Sequence, residues 1–214
     1  MHVFTEGGYY HIYNRGNSKQ NIFLDKQDYL VFQSFLYLMN MEQRVTTRET
    51  GESAYSYKRD TSLVSIGAYC LMPNHFHVLL TQVSENGISK FMQKVSTGYV
   101  MYFNKKYKRT GGLFEGKFKS KHVEDDRYLR YLYSYIHLNP LKLKNSLWKE
   151  DLASGRNVDY SCMFDYPFSS IGYFLGKDAI ENSILNLSLF PIAFPEKGNF
   201  IDEIASWFRV NSPK

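Results

Sequence analysis

Two histidines, His75 and His77, lie two positions apart in a run of β-forming residues that follows Pro73 and Asn74. Side chains alternate between the faces of a strand, so both imidazoles point to one face and Phe76 points to the other. Two imidazoles on one face can share a divalent metal ion. The same spacing also fits two inert, hydrogen-bonded histidines on a half-exposed strand, and it leaves both interpretations open.

Tyr135 and Asn139 are four positions apart in a segment with helical periodicity, so they share one helix face. A tyrosine hydroxyl has a pKa of about 10 and is a weak nucleophile unless a nearby cation favours the phenolate. The amide oxygen of Asn139 is a hard ligand that suits Mg or Mn. Because Tyr128, Tyr131 and Tyr133 occur in the same helix, spacing alone does not select the nucleophile.

Positive charge is concentrated in the middle of the chain. The 214 residues carry a formal net charge of +5. Residues 90–144 hold 13 Lys/Arg against 4 Asp/Glu, a balance of +9, whereas residues 145–214 hold 6 against 9, a balance of −3. One basic stretch of this kind indicates a face that binds a polyanion, although an ordinary solvated surface has the same composition.

The hydrophobic periodicity predicts an antiparallel sheet with helices packed on it, an α+β domain over residues 1–144. Pro140 should end the last helix of this domain, because the residue before a proline avoids the helical region. A polar stretch at 41–60 is expected to be a flexible surface excursion. Residues 145–214 are expected to be an irregular extension packed on the domain, with a final helix near 200–210. The predicted strands are 9–13, 63–72, 75–81 and 114–123, and the predicted helices are 25–40, 88–105 and 125–139.

The composition also bears on where the protein works. No apolar run approaches the length that spans a bilayer, and the N-terminal residues lack the pattern of a secretory signal. The two cysteines, Cys70 and Cys162, form neither a metal-binding pair nor a disulfide framework. These features favour a reducing cytoplasm and no membrane partner.

Residues 73–77 (PNHFH) and 135–140 (YIHLNP) resemble the two signatures of the REP-associated tyrosine transposases, the single-tyrosine branch of the HUH endonuclease superfamily. Residues 10–16 resemble the opening strand of that family, and 112–120 resemble its basic strand. Residues 166–173 are similar to an element of the family's tail, with Phe168 where tryptophan is usual. The resemblance covers about residues 9–175, and motifs in this order are together specific.

The resemblance implies a ferredoxin-like or RRM-like HUH domain in which His75, His77 and Asn139 hold a divalent metal, Mg or Mn. It implies that Tyr135 attacks single-stranded DNA beside a hairpin and forms a 5′-phosphotyrosine intermediate. Basic residues near these motifs are then candidate contacts to the DNA backbone. They are Arg15, Lys105, Lys106, Lys108, Arg109, Lys117, Lys119 and Lys121.

Three other functions stay open at this stage. The domain could bind hairpin DNA without cutting it, it could be a metal phosphodiesterase that uses water, or its histidine pair could be inert. Members of the resembled family include homodimers that exchange the tyrosine helix and monomers, so the oligomeric state is also open.

Overall fold

The structure, a computed structural model, describes residues 4–43, 51–59, 61–191 and 200–211. Four strands and seven helices follow one another in these residues, with short 3₁₀ segments between them. The strands are β1 (Tyr9–Arg15), β2 (Val64–Met72), β3 (His75–Gln82) and β4 (Lys119–Val123). The helices are α1 (Lys26–Leu38), α2 (Gly87–Lys106), α3 (Asp126–Leu138), α4 (Trp148–Ala153), α5 (Ser161–Phe164), α6 (Ile171–Phe174) and α7 (Phe200–Asn211).

The strands form one antiparallel sheet in the order β2-β3-β1-β4. Alternate residues of β3 enter different cores. Phe76, Val78 and Leu80 are buried with α1 and α2 on one face, whereas Leu79 is buried with α3 on the other. His75 and His77 have the same parity as Leu79, so they point to the face that α3 covers. The predicted α+β fold class is therefore confirmed.

The C-terminal part contains more helix than the sequence suggested. Residues 145–191 were expected to be irregular, yet α4, α5 and α6 form there. Trp148 and Phe208 bury apolar surface in a cluster with Leu138 at the end of α3, and this burial stabilises the short helices. The final helix is where the periodicity placed it. No described helix is long and apolar enough to cross a membrane.

The predicted strand at 114–123 is too long. The β4 ladder covers only Lys119–Val123, while Phe114 makes an isolated bridge to Gly16. Gly116 has a φ of 137°, a conformation that L side chains avoid and that interrupts the strand. Lys117 consequently lies in an exposed irregular segment.

Part of the expected surface excursion at 41–60 is packed. The 3₁₀ segment Gly51–Ser56 buries Ala54, and the Tyr55 ring lies 5.2 Å from the Tyr37 ring of α1. The Tyr37 hydroxyl donates a hydrogen bond to the Tyr57 carbonyl at 2.8 Å. The prediction of a flexible excursion is therefore wrong for 51–59, and residues 44–50 and 60 lie outside the described residues.

Candidate active site

The turn between β2 and β3 fixes the first histidine. His75 Nδ1 lies 2.6 Å from Asn74 Oδ1, while the Asn74 amide nitrogen donates to the Lys19 carbonyl at 3.2 Å. Because Asn74 Oδ1 only accepts, His75 carries its proton on Nδ1. Its Nε2 therefore keeps a lone pair that can bind a metal ion.

The second histidine lies deeper in the sheet. His77 is opposite Tyr13 on β1 and Cys70 on β2, and its ring centroid is 5.0 Å from that of His75. His77 Nδ1 is 2.8 Å from His11 Nε2, a nitrogen of a third imidazole on β1. His77 Nε2 is buried and finds no hydrogen-bond partner among the described residues.

Helix α3 carries the tyrosine to the same place. Asp125 caps its first turn by accepting a hydrogen bond from Tyr128 N at 2.6 Å. The Tyr135 ring centroid is 5.2 Å from that of His77 and 6.1 Å from that of His11. The structure thus brings the candidate nucleophile beside the imidazole pair.

Asn139 lies one turn after Tyr135 and is 2% exposed. Its amide nitrogen donates to the Tyr135 carbonyl at 2.7 Å. Hydrogen bonding by its side chain partly offsets the effect of burial on the pKa of His75 and on the pKa of Tyr135. Asn139 thus contacts Tyr135, the Tyr135 ring lies beside that of His77, and the His77 ring neighbours that of His75.

Burial sets the protonation of this cluster. It lowers the pKa of His75 to about 4 and holds the pKa of His77 well below its usual range, with further lowering from the nearby Lys142. Both imidazoles are therefore neutral at pH 7, as metal ligands must be. Burial also raises the pKa of Tyr135, so a phenolate there requires a cation nearby. Lys149 Nζ lies 4.4 Å from the Tyr135 ring centroid.

The donor set fits a divalent ion. The unpaired buried Nε2 of His77 is an atom whose burial is costly unless a hydrogen-bond partner or a metal ion meets it. In the described part of the chain, no three His, Cys, Asp or Glu side chains form a metal-binding cluster. A third protein ligand would consequently be of another residue type, and Asn139 is the predicted candidate.

A cavity of about 400 Å³ opens beside these residues, lined by His75, His77 and Tyr135 and by basic side chains. No carboxylate of the described residues lines it. A pocket with this charge suits a phosphodiester. Its basic residues are Arg15, Lys19, Lys119 and Lys142.

Seven of the eight predicted DNA contacts divide into two groups, and Lys117 lies in the irregular segment before β4. Arg15 and Lys119 line the cavity, and Lys121 is next along β4 on the same face. Lys105, Lys106, Lys108 and Arg109 lie instead at and after the end of α2 and do not line it. Lys106 is held by Asp25 and Asp28, each at 2.7 Å, which limits its freedom to meet DNA.

Sequence patterns missed four residues of the site: His11, Lys19, Lys142 and Lys149. His11 carries a signal in principle, since it alternates with Tyr13 on a predicted strand. Its partner is 66 positions away, and only the β1–β3 register shows that the two imidazoles meet. Lys142 and Lys149 follow Pro140, where the sequence shows no periodicity that fixes a direction.

Comparisons with known proteins agree with this geometry. The family model for IS200-like transposases matches residues 37–139, a segment that contains His75, His77, Tyr135 and Asn139. This central segment is similar to that family, and the resemblance recognised from the motifs is confirmed.

A solved structure of a REP-associated tyrosine transposase bound to a REP hairpin has the same fold. It matches with a TM-score of 0.53 and 13% sequence identity, covering 92% of this chain and 90% of that chain. The comparison with curated proteins gives no match.

Proposed function

We propose that this protein is a metal-dependent endonuclease and strand transferase for single-stranded DNA, with Tyr135 as the nucleophile. One observation carries the proposal: the Tyr135 ring lies 5.2 Å from the ring of His77, whose buried Nε2 has no partner among the described residues. A phenol beside an imidazole nitrogen that has no hydrogen-bond partner, at a basic cavity, suits attack on a phosphodiester.

His75, His77 and Asn139 would hold the ion, which is Mg or Mn. When bound, a divalent ion would neutralise charge that develops on the phosphate oxygens. Two nitrogen ligands are softer than Mg prefers, so Mn should bind more tightly in vitro. Lys142, Lys119 and Arg15 would meet the remaining phosphate charge from the cavity wall.

Tyr135 would form a bond from its phenol oxygen to phosphorus while the bond from phosphorus to the 3′-oxygen breaks. The phenol loses its proton, and the leaving 3′-oxygen gains one as a hydroxyl. The product is a 5′-phosphotyrosine link. Because the ester is retained, the released 3′-hydroxyl can attack it and rejoin the strands without ATP.

The substrate class follows from the family and from the basic surface. We assign catalysis to residues 1–144, with 145–214 as an extension packed on them, and a single strand beside a REP-type hairpin as substrate. Exposed Lys105, Lys108 and Lys117 would contact phosphates outside the cavity. A cytoplasmic location, favoured by two free thiols, and assembly as a homodimer belong to the same proposal.

The test is covalent capture. The protein is incubated with a labelled single-stranded hairpin DNA and Mn, and denaturing gels are scanned for a protein–DNA adduct. We expect Tyr135→Phe to abolish the adduct while DNA binding is retained. Tyr131→Phe is the matched control, because Tyr131 stacks on Tyr135 from the preceding turn of α3 and should still form the adduct.

Other outcomes point to other functions. Hairpin binding without cleavage in any divalent metal would support a catalytically silent DNA-binding protein. Cleavage that survives Tyr135→Phe would support a phosphodiesterase that activates water. The absence of both binding and cleavage would contradict the proposal and would favour an inert histidine pair.

A further inference from the structure

A third imidazole supports the candidate metal site from behind. His11 on β1 is 7% exposed and His77 on β3 is 6% exposed, and their nitrogens Nε2 and Nδ1 are 2.8 Å apart. Their ring centroids are 5.0 Å apart. At this distance one nitrogen must donate a proton and the other must accept it.

The direction of this hydrogen bond decides what His77 can do. If His11 donates, neutral His77 carries its proton on Nε2, and that nitrogen cannot bind a metal ion. If His77 donates from Nδ1, its Nε2 keeps a lone pair directed away from His11. A histidine ligand ordinarily donates its second N–H to an outer partner, which fixes both tautomer and ring orientation.

We infer that His11 is a positioning residue: it accepts the proton of His77 Nδ1–H and so presents the His77 Nε2 lone pair to a divalent cation. The inference rests on the proposed function and adds to it a residue outside the two signatures at 73–77 and 135–140. His75 has an equivalent partner in Asn74, so each ligand is oriented by a neighbour through its Nδ1.

Two further features suit this role. The His11 ring is 7% exposed, and burial favours an uncharged imidazole, which has one nitrogen that can accept a hydrogen bond. The unpaired state of His77 Nε2 also fits, since an N–H at that buried position would have no acceptor among the described residues.

A purely structural role for His11 makes different predictions. The ring also contacts Tyr13, with centroids 4.9 Å apart, and the edge of Tyr135. A phenylalanine would preserve such packing and the strand propensity but could not accept a proton. A glutamine would lose the ring and keep an acceptor near the position of Nε2. The two substitutions therefore separate packing from hydrogen bonding.

The first experiment measures Mn²⁺ affinity of the DNA-free protein by electron paramagnetic resonance. We expect His11→Phe to lose about 10–100-fold in affinity, the usual cost of removing an outer partner, and His11→Gln to stay close to wild type. His122→Gln, an exposed histidine on β4, is the matched control. Unchanged affinity in His11→Phe would overturn the inference while leaving the proposed function intact.

The second measurement needs no variant at the pair and remains decisive if His11→Phe does not fold. Long-range proton–nitrogen NMR spectra of histidine-labelled, metal-free protein report which ring nitrogen is protonated. We expect the His77 proton on Nδ1, and a proton on Nε2 would overturn the inference. If the wild-type protein shows no His75-dependent binding of Mn²⁺, the proposed function itself is contradicted, and the inference with it.

Discussion

At the end of α2, two neighbouring lysines are expected to differ in role, one in folding stability and the other in DNA binding. Lys106 Nζ lies 2.7 Å from Asp28 Oδ1, and the Asp28 side chain is 0% exposed. The hydroxyls of Tyr102 and Tyr107 donate to the same carboxylate at 2.9 and 2.8 Å. Lys106 was predicted from the sequence as a DNA contact, but this arrangement gives it a structural role.

Replacing Lys106 by methionine keeps the aliphatic stem and removes the cation. Breaking a fully buried ion pair costs about 3–5 kcal/mol. The Lys106 side chain is 27% exposed, and the Leu24 backbone N–H and the two hydroxyls still reach Asp28. We therefore expect a loss of about 2 kcal/mol in unfolding free energy, or roughly 4–8 °C in Tm for a chain of this size.

Lys105→Met is the matched control. Lys105 is exposed and has no carboxylate partner in the described part of the chain. The Lys105→Met substitution should leave Tm unchanged. Because it removes a phosphate contact, it should lower the slope of DNA affinity against salt by about 1. Thermal unfolding and salt titrations of both variants check this. A Lys106→Met protein as stable as wild type, or equal destabilisation by both variants, would refute the reasoning.

Three further predictions concern the site and its support. Lys149→Met should slow adduct formation about fivefold, because an exposed cation beside the Tyr135 phenolate contributes roughly 1 kcal/mol. Single-turnover kinetics measure this rate, and an unchanged rate would show that Lys149 does not assist Tyr135. Burial lowers the pKa of His137 to about 4, against 6.5 unfolded, so the unfolded chain binds more protons between these pH values. Unfolding free energy should thus fall by about 1 kcal/mol per such histidine from pH 7 to 5.5, and urea melts should show a smaller fall in His137→Gln. Lys119→Gln should weaken binding equally for DNAs of different sequence and reduce the salt slope by about 1; a loss confined to one sequence would argue against a phosphate contact.

Local patterns in the sequence predicted most of the sheet and the helices that flank it. The apolar periodicity of α1, α2 and α3 and the turn at Pro73 are short-range signals, and they set the element order. The extent of β4 was harder, because a glycine in an unusual conformation at Gly116 ended the pairing that alternation suggested. Packing against α3 and α7 stabilises short C-terminal helices that have little periodicity of their own.

Local patterns likewise predicted some contacts of the candidate site, whereas others depend on the tertiary fold. Same-strand parity and same-helix spacing predicted that His75 pairs with His77 and that Tyr135 pairs with Asn139. The meeting of the two pairs depends on which face of β3 the helix α3 covers, and that is a property of the whole sheet. The contact of His11 with His77 and that of Lys106 with Asp28 join residues 66 and 78 positions apart. No local pattern carries such information.

In the proposed reaction the phenol oxygen of Tyr135 becomes bonded to phosphorus. Protein treated with Mn and hairpin DNA is digested with nuclease and protease, and mass spectrometry locates the residual nucleotide. We expect a 5′-linked nucleotide on the peptide that contains Tyr135 and a free 3′-hydroxyl on the released strand. A nucleotide on another tyrosine, or strand cleavage that leaves no nucleotide on the protein, would contradict it.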